Sequence, residues 1–214
     1  MSASPSLRRL ATLSGVILLT GALLTACATP AAQPSDDGPG AAPSGHSAAA
    51  GEVIGQGTVL QVEPDAAQLC LGGVMESYPP QCSGPDIVGW DWAAVEYEES
   101  SGGVTWGTYA VQGTWDGEIF TLTQPAIPLA LYDPMADIDP RTLPENAGSA
   151  TEPELEAIQQ QLIDEASVDV LMTWPENGYL FVTVVHDDGA LQGYFDERFG
   201  PDVIAVGSAL KPVS

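Results

Sequence analysis

The chain has 214 residues, 44% of them hydrophobic and 16% charged, with 29 Asp and Glu against 5 Lys and Arg, a formal charge of -24. That balance excludes a nucleic-acid binder, which needs a basic face to neutralise phosphates. The length admits one or two small domains with a real hydrophobic core.

Residues 1–9 contain no acid and end in Arg8-Arg9, and Leu10 to Thr25 is an apolar run broken by Gly15 and Gly21. A basic start followed by an apolar run shorter than the roughly 20 residues of a spanning helix is the pattern of an export signal. The run closes in Leu24-Thr25-Ala26-Cys27, which resembles the lipobox of bacterial lipoproteins. The resemblance implies cleavage before Cys27, acylation (palmitate among the chains) at that cysteine, and a cell-membrane protein held by a lipid anchor on the extracytoplasmic side. A diacylglyceryl group suffices for this, because two chains anchor stably where one does not. An ordinary signal peptide with an incidental Cys27 and an uncleaved signal anchor are the alternatives. Arg8-Arg9 leaves both Sec and twin-arginine export open. Loss of residues 1–26 would leave Arg141, Arg198 and Lys211 against 29 acids, a formal charge of -26.

Residues 28–50 lack Leu, Ile, Val, Phe, Tyr and Trp, so they bury too little apolar area to offset ordering entropy and read, after the lipidated Cys27, as a disordered tether. A flexible coil of that length separates its ends by on the order of 25 Å. An anionic bilayer repels the acidic body beyond it.

Residues 51–128 read as a β-rich unit. Two cysteines remain, Cys70 and Cys82. A disulfide is favoured in an exported chain, and closing that loop stabilises by about 3 kcal/mol. Zinc lacks ligands, since His186 is the histidine beyond the tether; two free thiols are the other alternative. Val53 to Val62 is rich in Val and Leu. From Val104 to Trp115 the alternation puts Tyr109, Val111 and Trp115 on one face and Trp106, Thr108 and Ala110 on the other. Asp116-Gly117 before Glu118 to Thr123 predicts a hairpin with a type I′ turn. The expected architecture is a small antiparallel barrel or sandwich, OB-like among the options. Trp90 and Trp92, two apart, would share one face of a strand, with Tyr78 in the disulfide loop as a third ring of a binding surface; the opposing expectation puts these rings in the core.

Residues 129–150, with Pro134, Pro140 and Pro144, read as a connector. Asp133, Asp137 and Asp139 are hard oxygen ligands of the kind calcium prefers, at spacings that do not match an EF-hand; Glu96, Glu98 and Glu99 form a competing acidic cluster. No metal or other cofactor is assigned from these residues.

Residues 151–214 change character. Thr151-Glu152-Pro153-Glu154 has capping-box spacing, and Leu155, Ile158 and Leu162 continue at helical spacing to about Glu165. Strands Val168 to Trp174 and Tyr179 to Val185 flank Pro175-Glu176-Asn177-Gly178. Asp188 is placed to cap a helix carrying Leu191, Phe195 and Arg198, stopped by Gly200-Pro201, before a strand from Val203 to Ala209. The whole is expected to be α+β: a β unit followed by α-β-β-α-β with helices on a sheet.

The stretches Cys70-Leu71-Gly72, Ser77 to Cys82, Gly89-Trp90-Asp91-Trp92 and Asp187-Asp188-Gly189 through Ser208-Ala209-Leu210 are similar to small secreted or lipid-anchored proteins of high-GC Gram-positive bacteria. That group carries no assigned activity, so the similarity transfers no functional residue. His186 alone beyond the tether could act as a base, and it stands where a strand runs into a turn, so no catalytic residue is assigned. No nucleophile, metalloprotease or phosphate-loop motif is present. The expected role is non-catalytic binding of an envelope protein or carbohydrate; the alternatives are a carboxylate hydrolase of envelope polymers and a calcium-dependent binding domain.

Overall fold

The computed structural model describes residues 42–133, 138–166 and 168–213; Cys27, most of the tether and Asp137 lie outside them. The fold is α+β. In chain order the first sheet uses β1 (Glu52–Val62), β2 (Gln68–Cys70), β3 (Ile87–Val88), β4 (Glu99–Ser101), β5 (Val104–Trp115), β6 (Phe120–Leu122) and β7 (Ile127–Pro128). There follow α1 (Glu152–Glu165), β8 (Met172–Glu176), β9 (Tyr179–Val184), α2 (Ala190–Phe199), β10 (Ile204–Ser208) and β11 (Lys211–Pro212).

β1 and β5 pair antiparallel along their length, from Glu52 opposite Thr114 to Val62 opposite Val104. Short strands complete their outer edges: β2 and β11 on β1, and β4, β6 and β7 on β5, giving a curled half-barrel. The period of two sets the core. Val53, Val59, Tyr109, Val111 and Trp115 pack on one face with Phe120, while Leu60 and Trp106 pack on the other with Cys70. The β5 alternation is therefore as the sequence predicts.

The hairpin at Asp116-Gly117 forms, but its turn is not type I′. Only Gly117 has positive φ (104°). The Asp116 carboxylate instead accepts from the Glu118 and Ile119 amides at 2.9 and 2.7 Å. The I′ requirement of positive φ at both central residues is met at Asn177 (49°) and Gly178 (81°), between β8 and β9.

The second sheet runs β10-β9-β8, with β10 parallel and β8 antiparallel to β9. Both helices cover one of its faces, with Leu155, Leu162, Leu191 and Phe195 against Leu180, Val182, Val184 and Ile204. The α1 capping box forms as the spacing predicts. At α2 the capping acid differs from expectation. Asp187 accepts from the Leu191 and Gln192 amides, and Asp188 only from Ala190 at 3.2 Å. Arg198 lies exposed and pairs with Glu165 rather than joining the buried stripe. β8 begins at Met172, four residues later than the predicted start at Val168.

The two sheets share side chains. Val185 and Leu210 belong to the core of the first sheet, and β11 pairs with β1. The tether expectation also fails for residues 42–50. Ser47 N donates to His186 O, His186 N to Gly45 O and Ala49 N to Trp115 O, at 3.0 to 3.1 Å. Small side chains let this segment lie between the sheets, where the backbone rather than apolar bulk makes the contacts. No helix of the described residues is long and apolar enough to cross a membrane.

Candidate functional site

The Cys70–Cys82 disulfide closes the loop, as the cysteine arithmetic favours. Inside it the chain is tied again. Met75 N donates to Gln81 O at 2.9 Å, and Ser77 donates through its amide to Met75 O and through Oγ to Pro79 O, both at 2.8 Å. The Tyr78 ring meets Trp106 edge-on at 5.4 Å, with Trp106 itself buried in the sheet. Yet Tyr78 is 72% exposed and Met75 64% exposed, beside exposed Val74. A loop held at both ends thus presents an aromatic and a thioether to solvent.

Trp90 and Trp92 are not in a strand. Trp90 follows the turn at Gly89, outside any strand, and Trp92 begins a 3-10 turn over Trp92–Ala94, capped by Asp91. The two indoles meet edge-on at 5.1 Å, and Trp90 lies 4.9 Å from the Tyr109 ring. Trp92 Nε1 donates to Gln61 Oε1 at 2.6 Å. Both rings are half-buried against the first core, so they join Tyr109 rather than Tyr78. Tyr109 is fully buried, donates to Glu96 O at 3.1 Å, and has its phenol pushed up to about 12 by burial, with Glu98 adding to the effect.

Asp139 is occupied by a cation of the chain itself. Arg141 Nε donates to Asp139 Oδ1 at 2.9 Å and Nη2 to Oδ2 at 2.6 Å, which holds the Asp139 carboxyl below its ordinary range. Asp133 is exposed. Among the described residues no three His, Cys, Asp or Glu side chains gather as a metal cluster.

His186 is buried, with Nδ1 2.9 Å from Ser47 O and 3.1 Å from Ser47 Oγ. The neighbouring Asp187 carboxylate caps α2, so it does not serve the imidazole.

Sequence reasoning missed the outer face of the second sheet. There Trp174 stacks on Phe181 at 5.2 Å and 11° between planes, with the Arg141 guanidinium 5.9 Å above Phe181. These groups line a cavity of about 840 Å³ that also takes in Lys211. Pairing of Trp174 with Phe181 across an antiparallel hairpin could have flagged it; the contribution of Arg141 is long-range and leaves no local signal. Met75 was missed as well, although an apolar side chain between turn residues in a disulfide loop is a readable sign. No protein-family model matches the chain, and neither a curated protein nor a solved structure matches it significantly.

Proposed function

We propose that this chain is a lipid-anchored extracytoplasmic binding protein that grips an envelope protein through the disulfide-closed loop. The observation that carries the proposal is the exposure of Tyr78 and Met75 on a backbone already fixed by the disulfide, the Met75 to Gln81 bond and the Trp106 contact. Exposed aromatics that are ordered before binding lose little entropy on contact, and such residues dominate interface energies. The formal charge of -24, or -26 once residues 1–26 are gone, selects a partner with a basic rim around an apolar cleft. The lipobox-like Leu24-Thr25-Ala26-Cys27 supplies the anchor and the membrane side. Within the same proposal the first sheet is a partly open small barrel of the OB kind, supported by long β1 and β5 each bordered by short strands.

Crosslinked capture from intact cells tests it. The wild-type chain is expected to retain a protein that Tyr78→Ser and Met75→Ser each lose by tenfold or so, on the order of 1.4 kcal/mol, with capture weakening as salt rises. Equal capture by the variants would exclude the loop as the contact.

A carbohydrate ligand is the second reading, favoured by Trp174 beside the Arg141–Asp139 pair in the outer-face cavity. An indole face with planar hydrogen-bonding groups alongside suits a sugar ring. The carboxylate-hydrolase alternative finds less support. The carboxyls with a resolved shift, Glu52, Asp116, Asp139, Glu154 and Glu165, all move down, and a general acid needs an upward one.

A further inference from the structure

A second cavity, of about 840 Å³, opens where the C-terminal end of α1 meets the run into β8, the Ser83-Gly84-Pro85 loop and His46. Its walls are mainly apolar, with Leu162, Val168, Val170 and Leu171 among them. Two polar atoms break that apolar lining. Thr173 Oγ1 and His46 Nε2 are both out of contact with solvent and have no hydrogen-bond partner among the described residues. Asp169 Oδ2 stands 3.6 Å from His46 Nε2, and Glu118 joins the lining.

Unpaired buried polar atoms cost about 1 to 3 kcal/mol each unless something bonds to them. Here both can accept a hydrogen bond, Thr173 through its hydroxyl oxygen and His46 through Nε2 in the tautomer that carries its proton on Nδ1. The surrounding field is negative. Two carboxylates border the cavity, and the last carbonyls of a 14-residue helix end there, at Ala166. A carboxylate or phosphate ligand would be repelled. An apolar body with an ammonium head suits every part of this lining, since the head carries three N–H donors and a positive charge.

We infer that this cavity is a binding site for an apolar primary amine, its hydrocarbon lying on Leu162, Val170 and Leu171 and its ammonium donating to Thr173, His46 and Asp169. The site is independent of the Tyr78 loop. It also gives residues 42–50 a purpose: His46, the one aromatic side chain between residues 28 and 50, forms part of the wall.

The probes are n-octylammonium, n-octanol and octanoate, each below its aggregation concentration, titrated into the disulfide-bonded chain and followed by amide NMR. Octylammonium is expected to shift the amides of His46, Val170 and Thr173 and to bind at least about tenfold more tightly than octanoate, the effect of two partly exposed charges. Asp169→Asn combined with Glu118→Gln should bring octylammonium to within about threefold of octanol. Asp169 is largely exposed, so the double variant keeps its fold, which the unchanged remainder of the spectrum verifies. Thr173→Val should weaken octylammonium while leaving octanoate unchanged. Octanoate binding as tightly as octylammonium, shifts confined to residues elsewhere, an unaffected double variant, or no binding of any probe would each overturn the inference.

Discussion

Tyr109 shows how one side chain joins burial, hydrogen bonding and charge. Its ring fills the first core, its hydroxyl reaches Glu96 O, and burial opposes the phenolate, raising the pKa from 10.0 to about 12. The sign follows directly. A raised folded-state pKa contributes stability that is whole below about 10 and is lost as pH rises through about 12. Phenolate absorbance of wild type minus Tyr109→Phe should therefore show no ionisation near 10, and titration of Tyr109 alongside ordinary tyrosines would contradict the packing. At this scale the sequence was informative where period decides burial. The Tyr109, Val111, Trp115 face is legible from alternation, because a strand has only two faces. Trp90 and Trp92 were not, because Asp91 between them caps a 3-10 turn that starts at Trp92, and a spacing of two means a shared face only in a strand.

Among elements, the hairpins carry the clearest lesson. Asp-Gly and Asn-Gly look alike in sequence, but Asp116 uses its carboxylate to close a wider loop while Asn177 and Gly178 take the tight turn. Asn177 also donates through Nδ2 to Arg141 O and Leu143 O, both at 2.8 Å, tying the turn to the connector. Gly178 has φ of 81°, and a Cβ there would stand 2.5 Å from Gly148 O. Gly178→Ala is expected to cost roughly 2 to 3 kcal/mol, from the left-handed penalty plus the displaced connector. Denaturant unfolding measures this, and a loss below about 0.5 kcal/mol, the scale of an ordinary surface substitution, would show that the turn tolerates a side chain. The same pairing explains why the connector could not be placed from sequence. Its prolines forbid long elements, yet Tyr179 Oη donates to Asn146 O and Gly148 N to Asn177 O, contacts that no local pattern announces.

For the whole molecule, strands distant in sequence close the core. Leu210 is fully buried against residues of β1 and β5, and its amide donates to Val185 O in the segment after β9. Helices, hairpins and the disulfide could be read along the chain, because each is set by spacing within a short window. The return of β11 to β1 could not, nor the insertion of residues 42–50 between the sheets. Leu210→Ala should cost about 2 to 5 kcal/mol. Tryptophan fluorescence and helical dichroism should shift together in one transition; separate transitions would mean that the sheets fold independently.

At the same scale the proposed binding role draws on the acidic body, the lipobox-like Cys27 and the exposed Tyr78 loop together. The most direct test is a photo-reactive amino acid placed at position 78 in the full chain in living cells, with a control at Leu131, which is also exposed. One discrete adduct from position 78, absent from 131 and lost when the disulfide cysteines are replaced, is the predicted result. Equal labelling from both positions, or none from 78, would contradict it.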